Sequence, residues 1–314
     1  MVNYSIIIPH YNTPDLLARC IDSIPQREDI QVIVVDDNSP GNETYLSTIP
    51  ELSRENVEFH ITKDGLGAGH ARNIGLAHAT GKWLLFSDSD DFYVDDMDSI
   101  LDEYLDDLSD IIYFNIESCD CYNTNIRLIA KNKERLFREY KNTGNELVFR
   151  VGYTEPWGKI IRRQFIIDNG IFFQETKAHN DLLFSVKSGV LANRIKVVDR
   201  PLYWYVFREG SLGHQKGAEP IPKLKDRMRA WESTQCFLTS EGIRTRSFLP
   251  AIPCIRAIKK DWRVFPSLMN VAKELKISRM RIVVEIIRYF PRIILGGYGL
   301  GLDEQLWPTK QSNK

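Results

Sequence analysis

Three carboxylates, Asp88, Asp90 and Asp91, follow directly on the apolar run Trp83-Leu84-Leu85-Phe86, spaced by Ser87 and Ser89. From Trp83 to Ile126 the sequence holds no Lys or Arg, so nothing nearby in the chain neutralises them. Crowded carboxylates repel one another unless a cation compensates. Their oxygens suit hard divalent ions such as Mg2+ or Mn2+, above all an ion that also holds phosphates. The same three acids equally suit a turn and the cap of a helix expected over 95–108. A second acidic pair, Asp36-Asp37, ends the run Gln31–Val35 and precedes the turn-rich Asn38-Ser39-Pro40-Gly41.

The elements that carry these acids are legible in the hydrophobic pattern. Four large apolar residues after Gly81-Lys82 predict a short strand buried on both faces. Ser5–Pro9 predicts a first strand, and Thr13-Pro14 predicts the N-cap and first turn of a helix with Leu17, Cys20, Ile21 and Ile24 on one face. Val57–Ile61 predicts a third strand, and Gly65, Gly67 and Gly69 lead into a small-residue helix from Ala71 to Ala79, stopped by Gly81. Strands alternating with helices imply an α/β fold with a mostly parallel sheet flanked by helices, which binds ligands at the carboxyl ends of its strands. Both acidic clusters stand at such ends. Further on, the pattern predicts a strand over 110–115, a helix over Arg163–Asn169 stopped by Gly170 and a short helix over Leu182–Gly189. Strands are expected at Val197-Val198 and Leu202–Tyr205, a loop from Arg208 to Pro222, and helices from Lys223 onward. The polar, then basic segment from Cys119 to Lys141 predicts no clear element.

The bulk properties exclude several classes. A chain of 314 residues, 43% hydrophobic and 26% charged, buries a substantial core. A net charge of -1 argues against a dominant nucleic-acid partner, although the middle of the chain is acidic and its end basic. Five cysteines with no CxxC pair indicate neither a zinc site nor a disulfide framework. Met1 to Tyr4 hold no basic residue, and Ile6-Ile7-Ile8 ends at Pro9, too short for a signal peptide or a membrane span, so a cytoplasmic protein is expected. The glycines at 65, 67 and 69 lack the dinucleotide fingerprint, and the P-loop pattern is absent. Arg72, near a helix N-terminus, suits either a diphosphate or an ion pair with an acid. An EF-hand loop counted from Asp88 fails, because Phe92 and Tyr93 stand where a ligand and a glycine are required.

Four segments in order, Ser5-Ile6-Ile7-Ile8-Pro9-His10-Tyr11-Asn12, Val32-Ile33-Val34-Val35-Asp36-Asp37-Asn38-Ser39, Gly69-His70-Ala71-Arg72-Asn73-Ile74-Gly75-Leu76 and Phe86-Ser87-Asp88-Ser89-Asp90-Asp91, resemble the family 2 glycosyltransferases of the GT-A fold. The resemblance spans roughly the first two thirds of the chain, including Trp157-Gly158-Lys159, Asn180-Asp181 and, more weakly, the loop from Arg208. It implies transfer of a sugar from a nucleotide-diphosphate donor, with a UDP-sugar favoured, usually with inversion and usually with Mn2+ or Mg2+. It further implies that Pro9 and Tyr11 line the nucleobase pocket, that Asp37, with Asp36 behind it, binds the base, and that Arg72 faces the diphosphate. Asp88-Ser89-Asp90 matches the DxD motif, with Asp90 the more dependable metal contact and Asp88 second. Trp157, Lys159 and Arg208 are implied on the substrate side, and Asp181 as the general base. Asn180 replaces the usual glutamate before that base, and His10 replaces a small or aliphatic residue.

The chemistry makes the same demands independently. A leaving diphosphate requires charge stabilisation, and the acceptor hydroxyl requires a base on the opposite side of the sugar. A single displacement needs no nucleophilic carboxylate beside the base, unlike a retaining hydrolase. By position alone Asp181 reads as the N-cap of Leu182–Gly189. A nucleotidyltransferase making sugar nucleotides would carry a glycine- and arginine-rich loop after the first strand, where this chain has Pro9-His10-Tyr11-Asn12-Thr13-Pro14. A domain that binds sugar nucleotides without turnover is the remaining alternative. The expected organisation is a catalytic domain over 1–215 and a helical, basic extension over 216–314. Between Arg244 and Arg292 stand twelve Lys or Arg and three acids. Met280, Val283, Val284 and Ile287 share one helical face, while Arg281, Glu285 and Arg288 line another. That pattern suits either peripheral contact with an anionic membrane, where a lipid-linked glycan acceptor would be met, or packing on the rest of the chain.

Overall fold

The computed structural model describes residues 1–120, 127–128, 131–207, 220–245, 248–295 and 309–310. The chain divides into two compact units, one of residues 1–176 and 184–209 and one of residues 177–183 and 210–314. In the first unit the order is β1 (Tyr4–His10), α1 (Pro14–Asp22), β2 (Ile30–Asp36), α2 (Tyr45–Thr48), β3 (Val57–Ile61), α3 (Ala68–His78), β4 (Trp83–Phe86) and β5 (Phe92–Tyr93). There follow α4 (Met97–Tyr104), β6 (Ile111–Asp120), β7 (Arg127–Leu128), α5 (Lys131–Thr143), α6 (Leu147–Gly152), β8 (Lys159–Arg162), α7 (Arg163–Asp168), α8 (Leu182–Leu191) and β9 (Ile195–Phe207).

These strands form one mixed sheet in the order β3-β2-β1-β4-β8-β6-β9-β5, with β7 paired to β6. β3, β2, β1 and β4 run parallel, β8 is antiparallel to both its neighbours, and β6 and β9 are parallel. All seven residues of β1 and all seven of β2 are buried, because helices cover both faces. Ile6, Ile8, Val32, Val34 and Leu85 face one side and pack with Leu17 and Ile21 of α1 and Ile100 and Leu101 of α4. On the other side Phe86 meets Phe173 and Phe184 edge-on, and α3 presses against β1. At Gly75 an added Cβ would stand 2.4 Å from Ile7 Cγ2, so only glycine permits that approach.

Local expectations differ from the structure at three points. Thr13 precedes α1 without a side-chain cap; its hydroxyl lies 3.3 Å from Ser89 Oγ instead. The two strands expected between Val197 and Tyr205 are one, β9. Its register against β6 shifts beside Asn115, which pairs with Pro201, and a bulge there tolerates the proline's missing N–H. The segment from Cys119 to Lys141, without a predicted element, begins with the end of β6 and runs into α5, which ends at Thr143. Gly170 follows α7 with φ +55° and closes it as expected, with Ile171 N donating to Ile166 O.

The second unit contains α9 (Ile221–Ser240), β10 (Ile243–Arg244), α10 (Ala251–Lys260), α11 (Phe265–Glu274), α12 (Arg279–Leu295) and β11 (Thr309–Lys310). Its core gathers Leu224 and Met228 of α9, Cys254 of α10, Leu268 and Val271 of α11 and Ile282 of α12. Arg281 pairs with Glu285 and Glu232. Met280, Val284 and Ile287 are exposed. Among the described residues no helix is long and apolar enough to cross a membrane.

Candidate active site

The parallel ladder brings the chemically promising residues of the first unit to one edge. His10 pairs with Asp36 across β1 and β2, and Ile7 pairs with Phe86 across β1 and β4, so the acids after β2 and β4 emerge at the same carboxyl-terminal rim. Pro9 is buried there, and Tyr11 stands 58% exposed beside it.

Asp36 is fully buried and surrounded by donors. Its carboxylate accepts from Ser39 N at 2.8 Å, Ser39 Oγ at 2.6 Å and Asn42 Nδ2 at 2.9 Å, and lies 2.7 Å from His10 Nδ1. Thr13 N donates to His10 Nε2 at 3.1 Å, so that nitrogen carries no proton and Nδ1 is the donor to Asp36. Burial pushes the Asp36 carboxyl up, but the hydrogen bonds from His10, Ser39 and Asn42 more than offset it and hold it below the usual range. Asp36 is therefore an ionised strut that shapes the loop. His10, noted in the sequence only as a departure, is its partner. Asp37 has a different environment. Its Oδ2 accepts from Gly67 N at 2.8 Å, where φ is +101°, and burial raises its carboxyl above the ordinary range despite that bond.

After β4 the three acids take three different roles. Asp88 is half-buried, and its Oδ1 accepts from Arg72 at 2.5 Å. Arg72, 5% exposed, lies over the Phe173 ring, with Cζ 5.3 Å from its centroid. The cation missing from the neighbourhood in sequence thus arrives from α3. Asp90 is half-buried, and its backbone carbonyl accepts from Arg19 of α1 at 2.7 Å. Asp91 is buried, with Oδ2 accepting from Tyr203 Oη at 2.8 Å and Oδ1 from Val206 N at 2.7 Å. Burial pushes the Asp91 carboxyl well up, and the charges of Asp90 and Asp88 push it further. Asp91 anchors the turn, while Asp88 and Asp90 are half-buried on it. That oxygen-only donor pair, beside a third acid under electrostatic pressure from both, fits a hard divalent cation.

Tyr203 was not singled out by sequence reasoning. Its hydroxyl also accepts from Asp88 N at 2.9 Å and Ser87 Oγ at 3.2 Å, so one phenol on β9 organises the whole acidic turn. No local signal in the sequence reveals it. Trp157 stacks on Tyr203, with centroids 5.3 Å apart, and on Tyr205 at 5.7 Å, so it backs the turn from behind. Lys159 is buried, donates to Tyr153 O at 2.9 Å and lies near the Tyr113 and Tyr153 rings. Glu155 pairs with Lys133, whose Nζ stands 3.4 Å from the Tyr153 centroid. Burial raises the Glu155 carboxyl, and Lys133 more than reverses this to leave it below the usual range. Glu175 bonds His70 Nδ1 at 3.1 Å and Asn73 Nδ2 at 3.3 Å, and those bonds lower its carboxyl.

Asp181 falls in the short segment 177–183 that belongs to the second unit. It is half-buried, directly before α8, and follows the buried Asn180. His179 has φ +56° and accepts at Nε2 from Arg227 of α9 at 2.9 Å, which ties the segment to the helical unit. Arg208 lies outside the described residues.

Over 236 residues the chain is 29% identical to the poly(ribitol-phosphate) beta-N-acetylglucosaminyltransferase TarS of Staphylococcus aureus, covering 71% of this chain and 38% of that protein. It is 28% identical over 216 residues to a poly(ribitol-phosphate) beta-glucosyltransferase of Bacillus spizizenii, covering 66% of this chain and 32% of that one. The chain thus matches well under half the length of these relatives. A crystal structure of S. aureus TarS residues 1–349 in complex with UDP-GlcNAc superposes with a TM-score of 0.59 at 23% identity, covering 97% of this chain and 78% of that one, and shares the fold. The sequence model of the family described as Glycosyl transferase family 2 matches residues 5–169, more than half of the chain, and the chain belongs to that family.

Proposed function

We propose that this chain transfers a sugar from a UDP-sugar to a glycan or lipid-linked glycan, with inversion at the anomeric carbon. The observation that carries this reading is the convergence of Tyr11, Asp37, Arg72, Asp88 and Asp90 at the carboxyl ends of β1, β2 and β4 and the start of α3. The UDP-GlcNAc in the TarS structure supports the choice of donor, and the names of the two relatives support a polymeric acceptor in surface polysaccharide synthesis.

In this reading the exposed Tyr11 ring covers the nucleobase, Pro9 shapes its pocket and Asp37 accepts from it. Asp36 keeps the loop in place. Arg72 meets the diphosphate while remaining beside Asp88, so donor charge replaces part of an existing ion pair and leaves no buried cation uncompensated. Asp90 with Asp88 would hold a Mn2+ or Mg2+ ion, which would supply positive charge for the departing diphosphate. Trp157 and Lys159, both buried, act from behind through Tyr203 and Tyr153. Asp181 takes the proton of the acceptor hydroxyl as its oxygen bonds to the anomeric carbon and the bond to the nucleoside diphosphate breaks.

A thermal-shift panel of UDP-, GDP-, CDP- and dTDP-sugars with Mn2+ tests the donor site. Only UDP-sugars are expected to raise the melting temperature, by mass action worth about 2.7 kcal/mol at a hundredfold excess over Kd. A flat panel, or a GDP-sugar preference, overturns the assignment.

The exposed Met280, Val284 and Ile287 on a basic helix support a further element of the reading, peripheral contact with an anionic membrane carrying the acceptor. Co-sedimentation with anionic liposomes is expected at low salt and weakened at high salt. No pelleting at either salt rejects it.

A further inference from the structure

Glu58 and His60 lie two residues apart on β3, at the edge of the sheet, so their side chains leave the same face. His78, in the last turn of α3, meets them there, and one ligand atom from each of the three lies within 4.8 Å of the others. The His60 and His78 ring centroids are 4.0 Å apart, and His60 Nε2 is 3.4 Å from Glu58 Oε2. Behind them stands the buried Gln31. Its Oε1 accepts from Thr80 N at 2.9 Å and Ser5 Oγ at 2.6 Å, which fixes the amide so that Nε2 donates to Glu58 Oε1 at 2.6 Å and to the His78 carbonyl at 3.1 Å. One carboxylate oxygen is thus held from behind, and the other is turned toward the rings. An outer group that orients a ligand in this way is characteristic of metal sites.

We propose that Glu58, His60 and His78 bind an imidazole-preferring divalent ion, Zn2+, Ni2+ or Cu2+, at a site separate from the acids after β4. Two ring nitrogens and one carboxylate form a donor set for those ions and a poor one for Mg2+ or Mn2+. Ligands of a tetrahedral Zn2+ stand about 3.3 Å apart, so closing the site takes side-chain rotations on the order of an ångström. The carboxyl end of α3 favours positive charge at that point. Glu58 and His60 are half-buried and His78 is exposed, which leaves a fourth position to water. The bound ion fastens the edge strand to the helix that carries Arg72.

The test titrates tag-free protein with Cu2+ or Zn2+ in excess Mg2+, which occupies sites made of oxygen donors. One equivalent is expected to bind and raise the melting temperature, and the Cu2+ electron paramagnetic resonance spectrum should carry coupling to two ring nitrogens. His78→Gln should weaken binding about tenfold or more and reduce the coupling to one nitrogen, since losing a ligand costs no less than losing its outer-shell partner. His70→Gln should change neither. Absence of binding overturns the proposal, as does binding undiminished in the His60→Gln/His78→Gln double variant or lost in His70→Gln.

Discussion

Asp181→Asn is expected to fold, melt and bind donor like the parent while losing transfer by about a hundredfold to ten-thousandfold. Asp181 is half-buried and directly precedes α8, and an asparagine of nearly the same shape serves as well as an aspartate at a helix N-cap. Stability should therefore change by less than about 1 kcal/mol. An amide oxygen, however, does not take up the acceptor's proton. The measurement is the rate of sugar transfer to acceptor beside a melt and a donor titration. Transfer within a few-fold of the parent would return Asp181 to the role of a helix cap. The search would then pass to Glu175 and Glu155, each of which has partners that lower its proton affinity and make it a weaker base.

Asp90→Ala is expected to remove metal-dependent donor binding and keep the fold. The contact that Arg19 makes at this position is to the backbone carbonyl, which alanine retains. Removing the side chain also takes a negative charge away from Asp91, whose buried carboxyl already feels Asp90 and Asp88. The loss of donor affinity in the presence of Mn2+ should reach about a hundredfold, the upper range seen when even an outer partner of a metal ligand is removed. Calorimetric titration of the UDP-sugar with and without Mn2+ reads this directly. Unchanged affinity with Mn2+ would mean that Asp88-Ser89-Asp90 is a turn and not a metal site. The two variants separate the halves of the proposed reaction, since one spares donor binding and the other weakens it.

The strands that end in acids were legible because each brings four apolar residues in a row, Val32–Val35 and Trp83–Phe86, up to its acids, and a run buried on both faces needs no alternation. β8 was not legible. It is four residues long, begins with Lys159 and ends with Arg162, and sequence alone does not show that the Lys159 ammonium finds a carbonyl and two aromatic rings inside the core. β9 read as two strands because Asp199-Arg200-Pro201 interrupts it, and only the register shift against β6 reconciles that proline with a continuous ladder. The same logic divides the site. The acids at 36–37 and 88–91 stand out by following apolar runs, and the family resemblance singles out Asp37, Arg72, Asp88 and Asp90. The groups that set their environments, Tyr203 for the acidic turn and His10 for Asp36, act through contacts that local spacing does not encode. Arg72 was recognised as a candidate cation, but its closure onto Asp88 requires α3 and β4 to be neighbours in the folded sheet.

The hold of Tyr203 and Val206 on Asp91 has a consequence for how the chain is made. Those contacts span 112 and 115 residues, so the acidic turn leaves the ribosome long before the strand that fastens it. Contacts of such high sequence separation close late and slow folding. During synthesis, which proceeds at roughly 5–20 residues per second, β1 to β4 can assemble while Asp88, Asp90 and Asp91 still lack their anchor. The acidic turn is thus among the last features of its unit to become rigid, and a nascent chain bears a recognisable sheet well before it bears the completed turn.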